Sequence, residues 1–123
     1  MKRLVDAWHE HDIRVIYHLE GNLKPLMQEL VDCGIDGINP CEKMNLEVEY
    51  VRSNYPSLVI WDGIDSSWLL TTGSLDEVEQ EVKNNINICK DGGYILGSTG
   101  EIHPSCRLEN ILKMFEVANN YKL

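Results

Sequence analysis

Four short apolar runs of strand-like composition recur along the chain, at residues 13–18, 36–40, 58–62 and 94–97, and each gives way to a polar or charged tail. The tails read His18-Leu19-Glu20-Gly21-Asn22, Asn39-Pro40-Cys41-Glu42, Asp62-Gly63-Ile64-Asp65 and Ser98-Thr99-Gly100-Glu101-Ile102-His103. Between the runs the period changes from two to that of a helix. Leu4, Val5 and Trp8 share one face ahead of the first run. Leu23, Leu26, Met27, Leu30 and Val31 form an i, i+3, i+4, i+7, i+8 stripe that Gly34 ends. Asn45 is placed to cap a helix carrying Val48, Val51 and Tyr55, which Pro56 closes. Ser74 and Glu77 have capping-box spacing ahead of Val78, Val82, Ile86 and Cys89, and Gly92-Gly93 follows. Leu108, Ile111, Leu112 and Phe115 make a last apolar face.

Strand and helix therefore alternate four times, which predicts an α/β fold: a (βα)4 unit of parallel strands and crossover helices, half of a TIM (β/α)8 barrel. With 123 residues the chain holds one domain, residues 1–123, whereas a closed barrel takes about 250. The opening helix implies a further strand upstream. Every crossover returns the chain to the same starting edge, so the polar tails converge on one rim, and functional groups are expected there.

Charge narrows the partners. A formal net charge of −9 with 11 Lys and Arg argues against nucleic acid or an anionic membrane, which need clustered cations. The four cysteines, Cys33, Cys41, Cys89 and Cys106, are widely spaced without a C-x-x-C pair, and no apolar stretch approaches the ~18 residues of a membrane span. A cytoplasmic protein with reduced thiols and a small-molecule substrate is the expectation. His18 and Glu20, two apart on an extended segment, point to one side, and imidazole with carboxylate suits a zinc ion as well as a plain hydrogen bond. Cys41 reads as a reactive thiol or as a small core residue, and Trp61, Trp68 and Tyr17 as packing groups.

The order and spacing of His18-Leu19-Glu20-Gly21-Asn22, Gly34-Ile35-Asp36-Gly37-Ile38-Asn39-Pro40, Asp62-Gly63-Ile64-Asp65, Gly93-Tyr94-Ile95-Leu96, Ile102-His103-Pro104 and Glu109-Asn110-Ile111 carry a resemblance that spans almost the whole chain. It resembles the C-terminal half of the uroporphyrinogen decarboxylase superfamily, a (β/α)8-barrel group that also holds corrinoid-dependent methyltransferases. The resemblance implies either a porphyrin-type decarboxylase half-barrel, inactive alone, or half of a zinc-dependent methyltransferase whose corrinoid arrives on a partner protein. A truncated, non-catalytic fragment is the third reading. In the methyltransferase branch an H-x-C pair and a later Cys hold zinc. Here His18 keeps its place, Glu20 stands where the Cys would be, and Gly100 falls at the last ligand position. The implied metal set is His18, Glu20 and Glu42, with Cys41 or Glu101 as other candidates for the third ligand. Asp65 matches the Asp of the family's G-N-x-D element, and Asp65 and Glu101 are the implied catalytic residues, with loop organisation as the other role for Asp65. No organic cofactor site is implied within the chain. The decarboxylase's catalytic aspartate and its arginines for substrate carboxylates belong to the N-terminal half and have no counterpart here.

Four parallel strands cannot close on themselves. Edges at residues 13–18 and 94–97 are expected to seek a homodimer or a separate N-terminal half-barrel, which would cover inward-facing Ile16, Ile60 and Ile95.

Overall fold

A computed structural model describes residues 1–122. Its four strands, β1 (Ile16–His18), β2 (Gly37–Asn39), β3 (Val59–Trp61) and β4 (Tyr94–Ile95), form one parallel sheet in the order β1-β2-β3-β4. Six helices surround it: α1 (Lys2–His9), α2 (Met27–Asp32) entered through a 3-10 turn at Lys24–Leu26, α3 (Val48–Asn54), α4 (Leu69–Thr72), α5 (Leu75–Ile88) and α6 (Leu108–Asn120). The fold is the expected (βα)4 half-barrel. Among the described residues no helix is long and apolar enough to cross a membrane.

The paired segments are shorter than the apolar runs because side chains take over at their ends. Asp36, just before β2, accepts from the Val15 N–H at 2.7 Å, from Arg14 Nη1 at 2.9 Å, and shares a 2.7 Å hydrogen bond with His9 Nε2. Burial works to raise the Asp36 pKa, but these three partners outweigh it and hold the carboxyl below its ordinary value. One carboxylate thus ties α1 to the bottom of the first two strands.

Register decides which face each residue takes. Tyr17, Ile38, Ile60 and Tyr94 lie side by side across the sheet, and Ile38 and Ile60 are fully buried among Met27, Leu46 and Val51. The alternate rows, Ile16-Gly37-Val59 above and His18, Asn39, Trp61 and Ile95 below, turn to the uncovered face, where Trp61 and Ile95 are 44% and 47% exposed. Ile60 is therefore not an inward residue: it sits one position off the open rows and packs under the helices, because strand side chains alternate.

A second apolar cluster joins Ile64, Leu69, Leu70, Val78, Val82, Met114 and Val117 between α4, α5 and α6. Asn110 stitches it: buried in α6, its amide Nδ2 donates to the carbonyls of Leu69 at 3.2 Å, at the start of α4, and Gly73 at 2.9 Å, at its end. The capping box at Ser74 forms, with Ser74 N–H donating to Glu77 Oε2 at 2.8 Å and Glu77 N–H to Ser74 Oγ at 3.3 Å. Asn45 does not cap α3. Its amide donates to Glu42 within a turn, and Glu47 takes the cap position.

Both sheet edges stay open, and an apolar helix stripe lies beside each in the chain: Leu4 and Trp8 on α1 next to β1, Leu108, Leu112 and Phe115 on α6 after β4, all at least half exposed.

At the opposite end of the strands from the polar tails, Arg52 clamps two loops. Nη1 donates to Pro56 O at 2.7 Å and Leu58 O at 3.3 Å, and Nη2 to Gly93 O at 2.8 Å and Gly92 O at 3.1 Å. Charge-assisted bonds of this kind are each worth about 1.5–3 kcal/mol at best, less where water competes. Arg52→Ala should lower the urea midpoint by an amount equivalent to about 2 kcal/mol at unchanged slope, and Arg52→Lys should recover little, since an ammonium lacks the fork. Equal stability of the arginine and lysine proteins would refute the clamp.

Candidate functional site

His18 ends β1, Asn39 ends β2 and Asp62 follows β3, so three polar side chains stand shoulder to shoulder on the rim. His18 Nδ1 and Asn39 Oδ1 share a short hydrogen bond. Asn39 Nδ2 donates onward to Asp62 Oδ2 at 2.5 Å and, more weakly, to the Trp61 carbonyl at 3.4 Å.

The backbone after β3 makes this possible. Asp62 has φ +85° and Gly63 φ +122°, a left-handed excursion that Asp tolerates and glycine takes freely. Asn85 of α5, buried, donates to the Gly63 carbonyl at 3.0 Å and pins the turn. A side chain at Gly63 would meet Val48 Cγ2 at 2.9 Å and the Tyr94 hydroxyl at 3.1 Å, so the position has no room for the Asn of the family's G-N-x-D element. Asp62 in turn fills the space that a Cβ at Gly97 would need. The strand pairing resumes beyond the turn, with Ile64 beside Ser98.

The three groups open onto a cleft of about 760 Å³ between the strand ends and the loop before α6. Its polar lining includes His18, Glu20, Asn39, Asp62, Glu101 and His103 together with the hydroxyl residues Ser66, Ser67, Ser98 and Thr99; Trp61, Leu96, Ile102 and Phe115 supply apolar wall. Among the described residues no Lys or Arg lines it. Burial pushes the Asp62 carboxyl above its ordinary pKa, and the Asn39 hydrogen bond and the nearby His18 oppose that rise only in part. The arrangement offers hydrogen-bond acceptors and negative charge to a small ligand with an apolar body.

The residues implied by the sequence separate. His18, Glu20 and Glu101 line this cleft. Glu42 does not: its carboxylate accepts from Asn45 Nδ2 at 2.7 Å, in the loop after β2. Cys41 is 1% exposed, and burial pushes its thiol up to about 12, so it presents no thiolate at neutral pH. Asp65 faces another groove, of about 510 Å³, beside Lys43, Met44 and Trp68, and its Oδ1 accepts from the N–H groups of Trp68 at 2.5 Å and Leu69 at 3.2 Å, which starts α4. Among the described residues no three His, Cys, Asp or Glu side chains gather closely enough to hold a metal. The implied set of His18, Glu20 and Glu42 is thus not assembled, because the loop after β2 turns Glu42 towards Asn45. Asn39 and Asp62, the centre of the network, lie within the segments that carry the family resemblance, which does not single them out as site residues. The further sequence signal for them is position: both stand at the C-terminal end of a parallel strand.

Comparison with known proteins fits this geometry. The profile of uroporphyrinogen decarboxylase (URO-D) matches residues 1–121. A methylcobamide:CoM methyltransferase, MtbA, of Methanosarcina acetivorans is 24% identical over 127 aligned positions, which cover 98% of this chain and 34% of that protein. A second, MtaA of Methanosarcina barkeri, is 23% identical over 107 positions, 86% of this chain and 30% of the relative. Among solved structures, a methyltransferase from Methanosarcina mazei superposes with a TM-score of 0.75 at 19% identity, covering 97% of this chain and 35% of the other, a likeness of fold. The chain spans about a third of the length of the relatives it matches. With its four parallel strands, its rim of polar strand ends and a profile match over nearly its whole length, the chain belongs to the uroporphyrinogen decarboxylase (URO-D) family.

Proposed function

We propose that the chain is the acceptor-binding half of a methyl-transferring barrel, competent only when four further βα units close the sheet. The observation that carries this reading is the open rim: a cleft with His18, Asn39 and Asp62 on one wall, in a sheet whose two edge strands have no partner among the described residues. The relatives named as methylcobamide:CoM methyltransferases support methyl transfer over decarboxylation. So does the lining. A porphyrinogen bearing up to eight carboxylates needs cations, and Glu20, Asp62 and Glu101 present the opposite charge. In this reading Trp61 and Phe115 shelter the apolar part of the acceptor, His18 and Asp62 take its hydrogen bonds, and the corrinoid comes with a partner protein.

The further units come from the rest of a longer polypeptide, from a separate half-barrel or from a second copy. For the chain as it stands the second copy is the accessible choice. Pairing would cover Trp61 and Ile95 together with the stripes on α1 and α6, each ~100 Å² of apolar surface contributing on the order of 2.5 kcal/mol before association costs.

Zinc does not fit this half as it stands. His18 and Glu20 share the cleft, but no third ligand joins them among the described residues, and two ligands hold the ion weakly.

Three measurements follow from this reading. Protein purified without chelator should retain well under one zinc per chain after gel filtration; stoichiometric zinc, lost in Glu20→Ala, would restore the metal site. The chain alone should neither methylate a thiol from methylcobamide nor form coproporphyrinogen from uroporphyrinogen, while addition of the N-terminal four units of a relative should produce methyl transfer. Turnover by the chain alone, or none with the added half, would sink the proposal. Light scattering should give a mass above the monomer's, and a monodisperse monomer with cooperative unfolding would show that the edges need no partner.

A further inference from the structure

We infer that the buried hydroxyls of Ser66 and Thr99 form a pair of donors for the uncharged carbonyl oxygen of a small ligand, and that Gly100 keeps the pair open to the cleft. The inference deepens the acceptor-binding reading, on which it rests for the role of the cleft, by naming the head group that the cleft takes.

Two polar side chains on the β4 side of the cavity are almost wholly withdrawn from water. Ser66 is 4% exposed and Thr99 5%, and both line the cleft. Their backbones are held on several sides. The Ser66 carbonyl accepts from Thr71 Oγ1 at 2.9 Å, the Ser66 N–H donates to Thr99 Oγ1 at 3.4 Å, and the Thr99 N–H donates to the Ile64 carbonyl at 2.8 Å. The hydroxyl hydrogens are left over: among the described residues neither has an acceptor. Buried donors ordinarily find a partner, so two on one wall of a cavity call for an acceptor that enters from the cavity.

Gly100 controls the entry. A Cβ there would lie 3.2 Å from Ser66 Oγ, its one close neighbour. Gly100 does not sit in the left-handed region, so its backbone does not itself ask for glycine. What the absent side chain does is leave the Ser66 hydroxyl uncovered. At the position that the family resemblance gives to a metal ligand, this chain has an opening onto a hydroxyl instead.

Charge selects among acceptors. Glu20, Asp62 and Glu101 line the same cavity and no described Lys or Arg does, so an anionic head group would be repelled without a counter-charge. An ammonium group is drawn to those carboxylates but has no lone pair, and would leave both hydroxyl donors unsatisfied. A neutral carbonyl oxygen accepts from both donors and has no charge to desolvate. Leu96 and Phe115 supply apolar wall for a short hydrocarbon body. The ligand class is therefore a small neutral amide, ester or ketone.

Amide NMR on the nitrogen-15-labelled full chain tests this with three probes of similar length: butyramide, butyrate and butylammonium. Butyramide should shift the backbone amide signals of Ser66, Thr99 and Gly100 saturably. Ser66→Ala should weaken its binding about fivefold, the loss of one neutral hydrogen bond. Gly100→Ala should weaken it at least as much, although alanine suits the backbone there. Butyrate should give no saturable shift at these signals, and butylammonium should shift Glu20 and Glu101 in place of Ser66. Equal or tighter binding of either charged probe at Ser66, undiminished butyramide binding in a folded Ser66→Ala or Gly100→Ala, or no saturable shift with butyramide would overturn the inference. Should one variant fail to fold, the other variant and the selectivity of the native chain decide. No turnover enters these readings: failure of methyl transfer with the added half would remove the proposed function and leave the donor pair, and failure of the butyramide titration would do the reverse.

Discussion

The in-register row Tyr17, Ile38, Ile60 and Tyr94 is the constraint from which the rest follows. Its two central members are wholly buried under the helices, so the sheet has one dry face and cannot slip by a residue without exposing them. With that row fixed against the helices, period two puts His18, Asn39 and Trp61 on the other face, and parallel pairing puts His18 beside Asn39. The rim network is a by-product of where the isoleucines must go. A register shift would carry His18 into the core and Ile38 into the cleft, and nothing in the packing would tolerate either.

The fold was legible because its signals are local and repeated. Each crossover helix has its own apolar stripe, and Ser74 with Glu77 is a cap that two residues make by themselves. What the sequence hid depends on directions that no local pattern states. Ile60 looked inward because only the phase of β3 distinguishes its two faces, and that phase is set by pairing with Ile38. Asn45 has the composition of a cap, yet the chain turns once more before α3, so its amide meets Glu42 instead. The four-residue α4 is too short for a periodic signal, and Asp65, which starts it, reads equally as a turn or a catalytic group until its hydrogen bonds are seen.

The candidate site divides along the same line. That function would gather at strand ends follows from alternation of strand and helix, and His18, Glu20 and Glu101 do meet there. Which neighbours they acquire does not follow. Asn39 and Asp62 are ordinary turn-forming residues by type, and only two consecutive left-handed residues, held by Asn85 from a helix 22 positions away from Gly63, swing the Asp62 carboxylate onto the Asn39 amide. The metal set implied by family likeness fails for a matching reason: Glu42 follows Asn39 by three residues but leaves the rim with the loop.

Gly97 ties this arrangement to the boundary of the sheet. It lies two residues past β4, the outermost strand, and the Asp62 carboxylate rests in the gap left by its missing side chain. Site and edge therefore share one volume. Gly97 also lines the cleft, so the end of the outermost strand is at once a wall of the site and the seat of its central carboxylate, and any displacement of that strand end would be met first by Asp62.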